Sequence, residues 1–148
     1  MDATFLPLNE SHLDGVLAMM AQLYAHGVGE FNAVRARRAT QRLLAEPEFG
    51  RVWMIVAGAR PVGYLALVLG YSLEFGGRFG LLDELFVEEP WRGLGLGRQA
   101  LEFAAGECRA RQWSALRLEV ARKNERAQAL YRSAGFASQN RDLMTWWM

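Results

Sequence analysis

Cysteine is nearly absent from the chain: Cys108 is the only one among 148 residues. A single cysteine excludes an internal disulfide, and with it the class of small secreted domains that depend on disulfides for stability. Cys108 also falls within a helical pattern of apolar residues, where a free cysteine usually serves as a small buried side chain. We therefore expect a protein of the reducing cytoplasm.

The sequence also lacks a long hydrophobic run. No stretch approaches the roughly 20 apolar residues that span a bilayer, and the N-terminal segment has no basic part followed by an apolar part, as a secretory signal would have. The net charge is only +1, which excludes a strongly basic protein that coats nucleic acid. We expect neither a membrane nor a nucleic acid as a partner.

Metal-binding patterns are equally scarce. His12 and His26, the two histidines, have no partners at the spacing of metal ligands, so we expect no metal. The five tryptophans include the adjacent pair Trp146 and Trp147, and they suit a hydrophobic core or a homodimer interface better than a surface that stacks bases. The length predicts one domain over residues 1–148.

Opposite charges gather in adjoining parts of the sequence. Residues 92–132 contain nine Arg or Lys and four Glu, whereas residues 69–91 contain five acidic residues and one Arg. A basic part beside an acidic part suits a polyanionic ligand on one side and a cationic ligand on the other. Charges spread over a solvated surface would give the same counts.

The hydrophobic periodicity predicts strands and helices in the order β-α-α-β-β-β-α-β-α-β-β. The predicted strands lie at residues 3–8, 51–58, 61–72, 79–87, 115–120, 136–139 and 141–148, and the predicted helices at 11–26, 32–45, about 96–111 and 124–133. This order predicts an α/β fold with a mixed sheet and helices on both of its faces.

Three glycines follow the strand that is predicted to end at Val87. From Arg92 the chain has the spacing Arg-x-x-Gly-x-Gly, ending at Gly97, and a helix begins there. Unpaired amides at a helix N-terminus bind phosphate oxygens, and glycine lets the main chain approach an anion closely. The loop therefore predicts an anion site, although a turn without a ligand would have the same sequence.

Two other phosphate loops are alternatives. A Walker A loop is excluded because its Gly-Lys-Ser/Thr ending does not occur in the chain. A dinucleotide-binding loop remains an alternative interpretation, since Gly95-x-Gly97-x-x-Ala100 has the spacing of that motif and Glu119 ends a later strand. Against it, that loop turns from strand to glycine at once, whereas residues 88–92 intervene here.

The segment "LRLEVARKNERAQALYRSAGF" favours another family of phosphate loop. It places Asn124, Ala127, Leu130, Tyr131 and Gly135-Phe136 in the order Asn-x-x-Ala-x-x-Leu-Tyr-x-x-x-Gly-Phe. Together with "DELFVEEPWRGLGLG" before it, this pattern resembles the GNAT superfamily of N-acetyltransferases. The motifs fall within residues 79–137, the order of elements agrees over the whole chain, and residues 1–50 match only in the number of helices.

The resemblance implies the GNAT fold and its cofactor. The fold is a mixed, mostly antiparallel sheet of six to seven strands with four helices on both faces, splayed between strands 4 and 5. The anion is then the pyrophosphate of acetyl-CoA, on the amides of Arg92, Gly93, Leu94, Gly95, Leu96, Gly97 and Arg98. Pantetheine is implied to lie along the fourth strand at Leu85, Phe86 and Val87, with Asn124 nearby, and Arg98 or Arg126 would neutralise the ribose phosphate.

Acyl transfer to an amine needs a base for the amine, a polarised carbonyl and a proton for the thiolate. Tyr131 matches the family tyrosine at the sulfur, and a phenol is protonated at neutral pH. Asp83 and Glu84 are the first candidates for the base, although adjacent strand residues point to opposite faces unless a bulge intervenes. Glu119 matches a carboxylate of the ribosomal-protein acetylating branch of the family, and we rank it slightly below Asp83 and Glu84 as a candidate for the base. Solvated or ion-paired roles would also explain each carboxylate.

The resemblance thus implies an acetyl-CoA-dependent N-acetyltransferase that acts on the primary amine of a small molecule by direct attack on the thioester. A peptide or protein N-terminus is an alternative acceptor. A sensor that binds acyl-CoA without catalysis is the alternative from a different class of function.

Overall fold

The structure is a computed structural model that describes residues 1–148. Five strands form one sheet in chain order. They are β1 (Ala3–Pro7), β2 (Gly50–Ala57), β3 (Arg60–Ser72), β4 (Gly77–Val87) and β5 (Leu116–Leu118). Strands β1 to β4 pair antiparallel, and β5 runs parallel to β4. The mixed, mostly antiparallel sheet expected from the sequence is therefore confirmed.

Four α-helices cover the sheet, two on each face, as expected. They are α1 (Leu13–Leu23), α2 (Ala33–Ala45), α3 (Leu96–Ala110) and α4 (Glu125–Ala134). Helices α1 and α2 pack on a core that contains Tyr64 and Phe86, whereas α3 and α4 pack on a core that contains Trp53 and Leu65. None of the helices is long and apolar enough to cross a membrane.

Shorter helical turns join these elements. Residues Glu10–His12 and Glu89–Trp91 form 3-10 turns, and Tyr24–Val28 form a π-helical turn that extends α1. Asn32 caps α2 and Asn124 caps α4 with a side-chain oxygen, which satisfies amides that each helix leaves unpaired. Gly135 ends α4 with φ 107°, the left-handed conformation that glycine adopts without strain.

Strand β4 contains an extra residue, Asp83. Ala66 of β3 pairs with Glu84, and the next residue, Leu67, pairs with Leu82, so Asp83 has no partner and forms a β-bulge. The ladder between β4 and β5 also stops at Leu82, opposite Leu118. Beyond this point the two strands separate, and the expected splay between strands 4 and 5 is confirmed.

The expected number of six to seven strands is wrong, because residues 136–148 form no strand. Every residue from 137 onward is exposed, and the exposed apolar side chains include Trp146, 86% accessible, and Trp147, 79% accessible. A strand forms only where a neighbouring edge accepts its main-chain hydrogen bonds, and no strand of the chain pairs with this segment. Ion pairs of Arg141 with Glu74 and of Arg122 with Asp142 hold it instead.

Replacing Gly63 with alanine should lower the free energy of unfolding by about 1–3 kcal/mol, the usual effect of overpacking. Gly63 lies in β3 opposite Val87, and an added Cβ would overlap the carbonyl oxygen of Phe86. Urea denaturation measures the change. Gly15→Ala is the matched control: nothing lies within 4 Å of an added Cβ, and α1 should gain up to about 1 kcal/mol. Equal stability of Gly63→Ala and the wild type would contradict the pairing of β3 with β4.

Candidate active site

The loop between β4 and α3 presents a row of unpaired backbone amides. The amides of residues 93–98 donate no hydrogen bond within the protein, and no side chain caps α3 at Gly95. They lie at the N-terminal end of a 15-residue helix, where the partial positive charge of the helix dipole is concentrated. The amide of Arg92 already donates to the Glu89 carbonyl at 3.2 Å, so the free donors begin at Gly93.

The three glycines of the loop serve two purposes. Gly93 and Gly95 have φ values of 80° and 83°, a left-handed conformation that other residues adopt only with strain. A Cβ on Gly97 would lie 3.2 Å from a methyl group of Leu130, so this glycine permits α3 to pack on α4. The sequence pattern therefore combines loop geometry with helix packing.

Arg126 places a cation beside the loop. Its Nη2 lies 3.9 Å from the position of a Cβ on Gly93, and it takes part in no salt bridge. Arg98, by contrast, pairs with Glu102 and donates to the hydroxyl of Ser133. The free amides and Arg126 together suit a diphosphate with a further phosphate nearby.

The strand beside this loop has one open edge. Beyond Leu82, β4 pairs with β3 on one side and with no strand on the other. Leu85 and Val87 pack towards α3, and Phe86 is buried towards α1. The carbonyl of Val87 accepts a hydrogen bond from Arg92 Nε at 2.8 Å. The open edge suits an extended ligand that bonds to the main chain.

Glu84 accepts a phenol hydrogen bond on each of its carboxylate oxygens. Tyr24 donates to Oε1 at 2.6 Å, and Tyr64 donates to Oε2 at 2.8 Å. Tyr64 lies on β3 and is fully buried, whereas Tyr24 is the first residue of the π-helical turn after α1. Burial, the hydrogen bond and the charge of Glu84 all raise the pKa of both phenols.

Asp83 lies close enough to Glu84 and to Glu119 for the charge of each to act on its carboxyl. The Asp83 side chain reaches solvent, yet enough protein surrounds it that partial desolvation raises the pKa of the carboxyl. The negative charges of Glu84 and Glu119 raise this pKa further. Of the three predicted carboxylates, Glu84 and Glu119 thus each lie near Asp83.

Tyr131 lies apart from these carboxylates. It is half-buried on α4, in the core on the α3 side, with its ring edge-on to Phe136. Burial raises the pKa of its phenol, and no charged neighbour contributes to the shift. Asn124 begins the same helix and accepts a hydrogen bond from the amide of Ala127 at 3.1 Å.

Tyr24 and Tyr64 are candidate site residues that the sequence did not indicate. Each lies in an apolar pattern typical of a core position, and their partner Glu84 is 60 and 20 residues away. No local signal connects them, because only the packing of α1 and β3 against β4 brings them together. The structure contains no group of three or more His, Cys, Asp or Glu side chains arranged to hold a metal ion.

Comparison with known proteins agrees with this geometry. The model of the acetyltransferase (GNAT) family matches residues 18–136, so the chain belongs to the GNAT family. No curated protein matches the sequence.

Three solved structures are similar over almost the whole chain. An integron cassette protein from the mobile metagenome of Cole Harbour Salt Marsh is 30% identical with a TM-score of 0.86, over 97% of this chain and 90% of that one. A possible acetyltransferase from Clostridium difficile 630 is 16% identical with a TM-score of 0.86, over 99% and 97%. A predicted acetyltransferase from Clostridium acetobutylicum, solved with acetyl-CoA, is 15% identical with a TM-score of 0.81, over 97% and 96%.

Gly95→Val should weaken acetyl-CoA binding at least tenfold, because a branched side chain is strained at φ 83° and keeps phosphate away from the loop amides. Titration calorimetry measures the affinity. Gly106→Ala is the control, since Gly106 lies in the same helix with nothing within 4 Å of an added Cβ. Unchanged affinity in Gly95→Val would argue against the loop as the phosphate site.

Proposed function

We propose that the protein is an acetyl-CoA-dependent N-acetyltransferase that acetylates the primary amine of a small molecule. The observation that carries the proposal is the open edge of β4, which lies between the unpaired amides of residues 93–98 and the carboxylate at Asp83. An anionic cofactor would bind at the amides and along the strand. A cationic amine would then meet negative charge where the strand opens.

The cofactor side of the site is assigned to the loop and to β4. The amides of Gly93, Leu94, Gly95, Leu96, Gly97 and Arg98 would bind the pyrophosphate, and Arg126 would neutralise the ribose phosphate. Main-chain groups of Leu85 and Val87, on either side of Phe86, would form hydrogen bonds to pantetheine. Asn124 would contact the pantetheine from the side away from β4. Arg92 would support the loop through its bond to the Val87 carbonyl.

The proposed reaction moves one acetyl group and releases one proton overall. One of the three candidate carboxylates takes a proton from the ammonium group, and the neutral nitrogen attacks the thioester carbonyl carbon. As the new C–N bond forms, the C–S bond breaks. The thiolate takes the proton of the Tyr131 phenol, and Tyr131 recovers a proton from the nitrogen of the new amide, directly or through water. The products are the N-acetylated amine and free CoA.

The aromatic side chains around Glu84 support a small acceptor. Tyr24 reaches from the end of α1 to Glu84, and its ring lies edge-on to Phe31 with the centroids 5.5 Å apart. We infer that these rings, on the α1 side of Glu84, favour a small amine over a folded protein surface. In this proposal the base is Asp83, Glu84 or Glu119, acetyl-CoA is a co-substrate, and no metal takes part.

A thiol-release assay with a panel of amines tests the function. The panel contains spermidine, tyramine, glucosamine, lysine and a peptide with an N-terminal alanine. Steady release of CoA with one of the small amines, and the matching acetylated product by mass spectrometry, is the expected result. Turnover of the peptide alone would favour the N-terminal acetyltransferase. Tight binding of acetyl-CoA without turnover of any amine would favour the sensor.

We infer that the enzyme is located in the cytoplasm, because a reducing compartment suits the free thiol of Cys108 in the core on the α3 side.

We also infer a homodimer, in which a second copy covers the exposed apolar segment at residues 143–148. The two tryptophans of this segment would bury about 300–500 Å² per copy, a large part of the roughly 800 Å² that each partner contributes to a standard interface.

Replacing both Trp146 and Trp147 with serine should convert the dimer into a monomer and leave acetyl-CoA affinity unchanged, because the segment lies outside the cofactor site. Size-exclusion chromatography with light scattering measures the mass. Val34→Ser is the control, since Val34 is also exposed, at 71%, but lies on α2. A wild-type protein that is already monomeric at micromolar concentration would refute the inferred dimer.

Tyr131→Phe should lower turnover about tenfold or more and leave acetyl-CoA affinity nearly unchanged, because the ring and its packing stay while the proton donor is lost. Burial raises the pKa of Tyr131, so the wild-type phenol keeps its proton to higher pH than a free tyrosine. The alkaline limb of the pH–rate profile should therefore move in the variant.

A series of acyl donors whose thiol leaving groups differ in acidity tests whether Tyr131 donates a proton to the thiolate or only positions the thioester. If Tyr131 is the acid, the loss in Tyr131→Phe should be smallest for the best leaving group. Equal losses across the series would mean that Tyr131 only positions the thioester. Tyr71→Phe, at an exposed position on β3, controls for the loss of a phenol elsewhere.

A further inference from the structure

Glu84 is the most firmly held carboxylate of the site. Both of its oxygens accept a phenol hydrogen bond, at 2.6 Å from Tyr24 and at 2.8 Å from Tyr64. Tyr64 is fully buried on β3, so one donor is fixed by the core itself. If Glu84 took a proton from an amine, it would have to weaken bonds that two protonated phenols now make to it. Its surroundings favour a carboxylate that keeps its charge through the reaction.

Asp83 has the opposite surroundings. It is the unpaired residue of the bulge, and its side chain takes part in none of the hydrogen bonds of the protein. It reaches solvent at the point where β4 and β5 separate, beyond Leu82. Its carboxylate can therefore take up a proton and return it to water without breaking an internal bond.

We propose that the two neighbouring carboxylates divide the work: Glu84, held by Tyr24 and Tyr64, binds and orients the ammonium group of the acceptor, and Asp83 removes its proton. Tyr24 and Tyr64 are then positioning residues that act through Glu84. This inference rests on the proposed N-acetyltransferase activity. It selects Asp83 as the general base from the three candidate carboxylates, and it assigns Tyr24 and Tyr64 the function of holding Glu84 in position.

The geometry of a carboxylate supports this division. Each oxygen has two lone pairs, and the phenols occupy one on each oxygen, so Glu84 can still accept an N–H bond from an ammonium ion. The ammonium group has three donors, which is enough to bind Glu84 and Asp83 together. In the proton-transfer step Asp83 becomes a neutral acid, the ammonium becomes a neutral amine, and Glu84 keeps its charge.

Steady-state kinetics of Asp83→Asn and Glu84→Gln test the proposal, with the amine of the panel that is turned over fastest. Asp83→Asn should lower kcat about a hundredfold, a usual scale for a lost general base, with little change in the KM of the amine. Glu84→Gln should raise that KM about tenfold, since it removes a charge-assisted contact to the ammonium group, and should change kcat less. The KM of acetyl-CoA should stay constant in both.

The pH profile of kcat/KM distinguishes the proposed roles from purely structural ones, because a residue that only stabilises the fold would not move the acid limb of the profile. The charged and titratable groups around Asp83 are Glu84, Glu119, Tyr24 and Tyr64, with Arg35 of α2 acting on Tyr24. Activity should fall as the pH drops through the raised pKa of Asp83, because the base becomes protonated. Glu84→Gln removes a negative charge that raises this pKa, so the acid limb should move to lower pH.

Tyr24→Phe tests the positioning role separately. It leaves the charge of Glu84 in place, so the acid limb should stay where it is in the wild type while the KM of the amine rises severalfold. Tyr64→Phe should act in the same direction, but Tyr64 is buried, so Tyr24→Phe is the safer variant if Tyr64→Phe loses stability. Tyr71→Phe, which is 70% exposed, should be kinetically silent.

Several outcomes would overturn the inference. If Glu84→Gln lost kcat and Asp83→Asn raised only KM, the two roles would be reversed. Full activity of Asp83→Asn with loss in Glu119→Gln would place the base after β5. Wild-type KM in Tyr24→Phe would remove the positioning role. If no amine of the panel is acetylated while acetyl-CoA still binds, the proposed activity itself fails, which is a separate result from any of these.

Discussion

The arrangement of the site depends on one extra residue in β4. Because Asp83 has no partner in β3, the strand bends there and its right-handed twist increases. The parallel ladder with β5 ends one residue earlier, at Leu82. The edge of β4 from Asp83 to Val87 is thus free for a ligand, while the same strand stays anchored to β3. Without the bulge, the carboxylates at positions 83 and 84 would point to opposite faces.

The bulge also separates two electrostatic environments. Past Val87 the chain enters a loop with free amides and Arg126, which attract an anion. At the bulge itself lie Asp83 and Glu84, and the charge of Glu119 also acts on Asp83. The acidic residues at the bulge and the anion-attracting loop thus lie towards opposite ends of one segment of β4. An anionic acyl donor and a cationic acceptor would approach from different directions, which limits competition between them.

Much of this arrangement follows from the sequence, where the physical signal is local. The glycine-rich loop, the cap at Asn124 and the left-handed Gly135 each depend on a few consecutive residues, and they lie at the ends of helices that the sequence predicts. The bulge could not be predicted, because it is set by the register between β3 and β4. The same holds for Tyr24 and Tyr64, whose contact with Glu84 joins distant segments. The predicted C-terminal strand pair was wrong, because apolar and aromatic residues in a short segment do not supply the neighbouring strand that pairing requires.

The most direct test is to delete Asp83 and compare the variant with Asp83→Asn. Leu82 and Leu85 pack towards α3, and the side chain of Glu84 faces Tyr64 on the other side of the sheet. Deletion of Asp83 would therefore leave side chains that alternate regularly between the two faces of β4, and a continuous ladder with β3. The account predicts that the deletion variant melts near the wild-type temperature but no longer binds acetyl-CoA by calorimetry, because β4 and β5 stay together, whereas Asp83→Asn binds it normally. Wild-type affinity in the folded deletion variant would contradict the central role of the bulge.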